Sequence, residues 1–74
     1  MKPQIKNTAL LKKISKRIKS LREELGITQE DFYNDTNIHL ARVETAKGNI
    51  TVSTLDAICK YFKISIGEFF EGME

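Results

Sequence analysis

Asn37, His39, Arg42 and Thr45 carry the side chains of this chain best suited to gripping a flat, polar or anionic partner. The planar fork of an arginine matches two acceptors at once, whether O6 and N7 of a guanine or two oxygens of a phosphate. Steps of three from His39 to Arg42 to Thr45 place these residues on one side of a helix, with Ile38 beside them. Leu40 and Val43 lie on the opposite side and belong to a core. Lys47 is in line with them but long enough to extend outward. His39 and Asn37 stand where that helix starts, among backbone N–H groups that favour phosphate. Ile38 is either a contact for a thymine methyl or an apolar plug under the preceding turn.

Other chemistries lack their residues. No paired carboxylates, nucleophile–base pair or phosphate-cradling glycine loop is visible, so no enzyme and no cofactor are expected. His39 has no second His or Cys at ligand spacing, so no metal site is expected. Cys59 is the single cysteine. It rules out an internal disulfide and reads as a small core residue between Ile58 and Lys60. Seventy-four residues make one small domain with a modest core. No apolar run approaches the roughly 20 residues that span a bilayer. The opening MKPQIKNT lacks the apolar stretch of a signal peptide. The expected location is the cytoplasm, with no membrane partner.

The formal charge of +2 is mild, but it is unevenly spread. Up to Arg22 the chain holds Lys2, Lys6, Lys12, Lys13, Lys16, Arg17 and Lys19 and no acid, whereas Glu68, Glu71 and Glu74 end it without a base. A basic pole facing an anionic partner and a solvated helix face both fit this asymmetry. A basic amphipathic helix over 9–25 could also lie on a membrane surface. The apolar stripes downstream, however, need its apolar side for a core.

The elements that must position the polar set follow from periodicity and caps. Residues 1–7 are polar, contain Pro3 and read as a flexible N-terminal arm, leaving 8–74 as the folded domain. Thr8 is a candidate cap for a first helix whose stripe is Leu11, Ile14, Ile18, Leu21 and Leu25, ended by Gly26. Thr28 and Asp31 form a capping-box variant opening a second helix of about two turns, anchored by Phe32. Asn34, Asp35, Thr36 and Asn37 are turn and cap residues. Thr36 or Asn37 caps a third helix over 38–46, broken by Gly48 and Asn49. Thr51 or Ser53 opens a fourth with Leu55, Ile58 and Phe62 on one face. Ser65 and Glu68 open a short fifth, with Ile66, Phe69 and Phe70 apolar. The expected fold is an all-α, compact bundle of five short helices.

The stretches LREELGITQEDF, RVE and TLDAICKYFKISIGEFF together resemble the Cro-type, or xenobiotic-response-element-type, helix-turn-helix repressors, over about Leu11 to Phe70. The resemblance implies a lambda-repressor-like helix-turn-helix domain, in which a short second helix props the third outward into the DNA major groove. It implies that Gln29, at the first turn of the second helix, grips backbone phosphate. It places Lys47 and Asn49 in a loop that flanks the DNA backbone. It implies a buried ion pair between Arg22 and Glu44, structural and outside the DNA-contacting set. That set is Thr28, Gln29, Asn37, His39, Arg42, Thr45, Lys47 and Asn49, with Lys12, Lys13 and Lys16 as further phosphate contacts. Three departures stand out. The stretch between Gln29 and Glu44 is about three residues shorter than the commoner pattern, roughly one helical turn. Asn37 replaces the usual glycine of the turn, and Asn enters the left-handed region more readily than most residues. Thr45 and Ala46 stand where Asn-Gly is common, so the third helix is expected to run on toward Lys47.

The function implied is that of a sequence-specific regulator of double-stranded DNA, a repressor occupying a palindromic operator as a homodimer. A C-terminal surface of Ile66, Phe69, Phe70 and Met73 is the candidate dimer face. The alternative is a protein-interaction module, such as an antitoxin, that binds a partner protein through that same apolar face.

Overall fold

The structure is a computed structural model and describes residues 7–45 and 48–73, which form five helices in chain order. Helix α1 (Thr8–Glu24) begins one residue earlier than its candidate cap implies. Asn7 is the cap, with extended backbone and its side-chain oxygen accepting from the Leu10 N–H at 3.0 Å. Thr8 is thereby the first helical residue rather than the cap. The apolar stripe buries Leu11, Ile14 and Ile18, while Leu21 packs at its edge. Leu25, expected on that stripe, is 59% exposed. The helix has ended by then, and Gly26 turns the backbone to φ 67°. The N–H groups of Gly26 and Ile27 close back on the carbonyls of Glu23 and Arg22, the Schellman arrangement.

Helix α2 (Gln29–Thr36) carries the expected capping box. Thr28 Oγ1 accepts from the Asp31 N–H, and Asp31 accepts from the Thr28 N–H, each at 3.0 Å. These bonds from Thr28 hold the Asp31 carboxyl below its ordinary value. Asn37 ends the helix in the left-handed region at φ 63°, its N–H donating to Tyr33 at 2.7 Å.

Helix α3 (Leu40–Glu44) is shorter than the expected span of 38–46. Neither Thr36 nor Asn37 caps it; His39 is the cap and makes no side-chain capping bond. Left-handed Asn37 swings the chain away from helical geometry, and Ile38 tucks half-buried against the core. Thr36 serves the turn instead, donating to the Phe32 carbonyl and accepting from the Ile38 N–H. Thr45 is the C-terminal cap, so the described helix ends before it. Ala46 and Lys47, onto which a longer helix was expected to run, lie outside the described residues.

Helix α4 (Val52–Tyr61) is capped by Thr51, one of its two candidates. Helix α5 (Ile66–Phe70) is capped by Ser65, with Glu68 completing the box. Between them Lys63 adopts φ 61°, and the N–H groups of Lys63 and Ile64 close on Lys60 and Cys59.

The core joins Ile14 and Ile18 from α1, Phe32, Leu40, then Leu55, Ile58, Cys59 and Phe62, and finally Phe69. Phe32 lies at its centre, with Tyr61 edge-on at 4.4 Å and Phe62 stacked at 5.6 Å. Cys59 is fully buried, and desolvation pushes its thiol above the ordinary value. The Tyr61 hydroxyl donates to Asp35 at 2.7 Å and ties α4 to the end of α2. Among the described residues no helix is long and apolar enough to cross a membrane.

Candidate nucleic-acid interface

The α2–turn–α3 unit presents the polar set, and its orientation is governed by one charged cluster. Arg22, in the last turn of α1, donates from Nε to Glu44 Oε2 at 2.9 Å and from Nη2 to Glu44 Oε1 at 3.1 Å. Its Nη1 donates to the Ile27 carbonyl at 2.9 Å. The two side chains are only 14% and 5% exposed. The hydrogen bond to Glu44 holds the Arg22 guanidinium above its ordinary value, against desolvation. One side chain thus clamps the end of α1, the loop before α2 and the end of α3.

Gln29 joins the same cluster. Its amide nitrogen donates to Glu44 Oε1 at 3.0 Å. One N–H of that amide is therefore turned inward, and the other N–H and the carbonyl oxygen are the groups left for a ligand. Thr28 lies beside it, exposed, with its oxygen engaged as acceptor in the cap.

On α3, Leu40 is buried and Val43 packs against the core, as their spacing requires. Ala41, Arg42 and Thr45 are exposed. Ala41 was absent from the candidate set, because alanine carries no polar signal, yet it shares this outer side and a methyl there can meet a thymine methyl. Thr45 donates its hydroxyl to the Arg42 carbonyl at 3.0 Å. Arg42, Thr45 and Asn49 line one shallow cleft between α3, α1 and the segment leading to α4. Asn37 is exposed but belongs to the turn, and Ile38 is half-buried as a plug. His39 is exposed, and its ring stacks on Tyr33 of α2, centroids 4.3 Å apart and planes 27° apart. Nothing local in the sequence announces that stack, since six positions separate the two rings. Lys47 falls outside the described residues. Lys12, Lys13 and Lys16 are exposed on α1. Among the described residues no cluster of His, Cys, Asp and Glu could hold a metal ion.

Of the candidate dimer residues, Phe69 is fully buried and completes the monomer core. Ile66 and Phe70 open instead into an apolar groove with Leu10, Ile50 and Val52, and Met73 lines a separate cleft beside Lys13 and Lys16. Leu10 is 40% and Val52 74% exposed.

The chain is similar in structure to a restriction-modification controller protein, the C.Esp1396I tetramer solved in complex with its natural 35 base-pair operator. The identity is 37% and the TM-score 0.74, over 84% of this chain and 86% of that one. No curated protein matches the chain. Residues 17–72, from the middle of α1 through α5, match the Cro/C1-type helix-turn-helix DNA-binding domain, and the chain belongs to that family.

Proposed function

We propose that this protein is a sequence-specific transcriptional regulator, a repressor that occupies a palindromic operator as a homodimer. The observation that carries the reading is the division of α3 into two sides. Leu40 and Val43 face the core and Glu44 is clamped by Arg22, so Arg42, Ala41 and Thr45 have no course but outward. Arg42 takes a guanine or a phosphate, His39 and Thr45 add contacts beside it, and Asn37, Lys47 and Asn49 flank them. Thr28 and Gln29 meet phosphate at the start of α2, Gln29 with its amide oriented by Glu44. The operator-bound controller protein supports this reading, being alike over most of both chains.

A five-residue helix reaches few base edges, so useful specificity calls for two half-sites about one helical turn apart. The groove of Leu10, Ile50, Val52, Ile66 and Phe70 is the face assigned to the second copy. None of the described residues that line it is charged, so a two-fold axis can bring these residues against their copies without like-charge repulsion. The same groove supports the second reading, a partner protein seated there.

Selection of bound sites from a random duplex library at two salt concentrations tests the proposal. The expected result is an inverted repeat, enriched at low salt and lost at high salt. Each phosphate contact steepens the log–log salt dependence by roughly 0.9. Arg42→Ala should relax one position in each half-site and weaken binding by about 1–3 kcal/mol. No enrichment at either salt overturns autonomous DNA binding and favours the partner-protein reading.

A further inference from the structure

Tyr33 lies outside the buried core, and the contact its ring makes is the stack on His39 described above. Its neighbour Phe32 fills the centre of the core, and one step along a helix turns the next side chain by about 100°. Tyr33 is accordingly 37% exposed, and its ring partner is His39. Its carbonyl accepts the Asn37 N–H at 2.7 Å, so the residue that bears the ring also closes the turn. On the other side of that turn, Ile38 and Leu40 both pack inward, and His39 between them is exposed in an extended conformation. The backbone at both ends of the stack is thus pinned, while the imidazole makes no side-chain capping bond that would orient it.

We infer that Tyr33 is a positioning residue for DNA recognition: its ring holds the His39 imidazole in one orientation at the corner between α2 and α3, from which His39 meets the DNA. The inference rests on the DNA-binding reading above and deepens it. An exposed side chain with several rotamers loses that freedom when it is ordered against a ligand. A ring already stacked in the free protein has lost it beforehand, which favours binding. The benefit matters most for a short helix with few contacts. Tyr33 acts through His39 and needs no contact of its own.

The test is a double-mutant cycle on the selected operator, with the free protein followed by NMR. In the free protein, the His39 ring protons should show an upfield ring-current shift that Tyr33→Phe keeps and Tyr33→Ala removes. Tyr33→Ala should weaken operator binding roughly fivefold, in keeping with the strength of an aromatic pair, and Tyr33→Phe should restore it to within about twofold. In a His39→Ala background, Tyr33→Ala should cost nothing further. Tyr33→Leu, which keeps apolar bulk without a ring, serves in place of the alanine should that variant fail to fold. An equal loss in both backgrounds would show Tyr33 acting on its own and overturn the inference. So would an operator bound equally well by wild type and Tyr33→Ala. A wild-type protein that selects no operator at all overturns the DNA-binding reading and this one with it, an outcome distinct from the other two.

Discussion

Glu44 is the acceptor shared by Arg22 and Gln29, and its removal has consequences on both sides. Glu44→Ala leaves the Arg22 guanidinium, 14% exposed, with the Ile27 carbonyl in place of an anion. A broken, largely buried pair of this kind costs about 3 kcal/mol. In a domain of this size that lowers the thermal midpoint by more than about 10 °C. Glu44→Gln should lose less, because one side-chain oxygen still accepts. Thermal melts of the two variants check this; a Glu44→Ala protein as stable as wild type would mean that the pair is open to water. The pairing of Arg22 with Glu44 was readable only through family resemblance, since 22 positions separate them. The third member, Gln29, was expected to face phosphate. Its inward bond to Glu44 emerges only when α2 and α3 are folded against each other.

At the scale of elements, caps were the most legible signal. Thr28 with Asp31, and Ser65 with Glu68, are complete within one turn, so sequence and structure coincide there. Helix α3 was less legible because its start is decided by Asn37 turning left-handed and Ile38 packing inward, not by a cap. The other left-handed residue that is not a glycine, among those described, is Lys63, and it carried no signal at all: lysine is an unusual choice at φ 61°. It sits where many helices end in glycine, with both closing bonds of the Schellman arrangement in place. Lys63→Gly should therefore stabilise the domain, by about 0.5–1 kcal/mol after the greater freedom of unfolded glycine is set against the relieved strain. Chemical denaturation checks it: an unchanged or lower midpoint would mean that Lys63 makes a compensating contact.

At the scale of the whole molecule, the proposed homodimer makes a testable demand on one residue. Val52 is the first residue of α4, 74% exposed at the rim of the apolar groove proposed for the second copy. Val52→Asp places a carboxylate at a helix N-terminus, where it suits the helix dipole. Helical content should be unchanged. Across a two-fold interface the same change sets like charges against each other, so the dimer should dissociate and operator affinity should fall. Sedimentation of both proteins over a range of concentrations measures this. A wild-type monomer throughout, or a variant that still dimerises, would remove the groove from the interface. Phe69 shows why that face was only partly legible: Ile66, Phe69 and Phe70 are all apolar in the sequence, with Phe69 the better candidate for the monomer core, and packing sends Phe69 into the core and leaves Phe70 at the groove.

The sequence by itself determined the all-helical class, four of the five helices closely, the capping boxes, the inward stripe of Leu55, Ile58 and Phe62, and the family resemblance. These depend on residues within one or two turns of each other, or on a pattern spread along the chain. The tertiary structure decided where α3 begins, which way Gln29 turns, that Tyr33 meets His39, and which C-terminal phenylalanine stays outside. Each of these depends on surfaces brought together only after the helices pack. Spacing along the chain then no longer measures distance, and burial selects one of several locally equivalent arrangements.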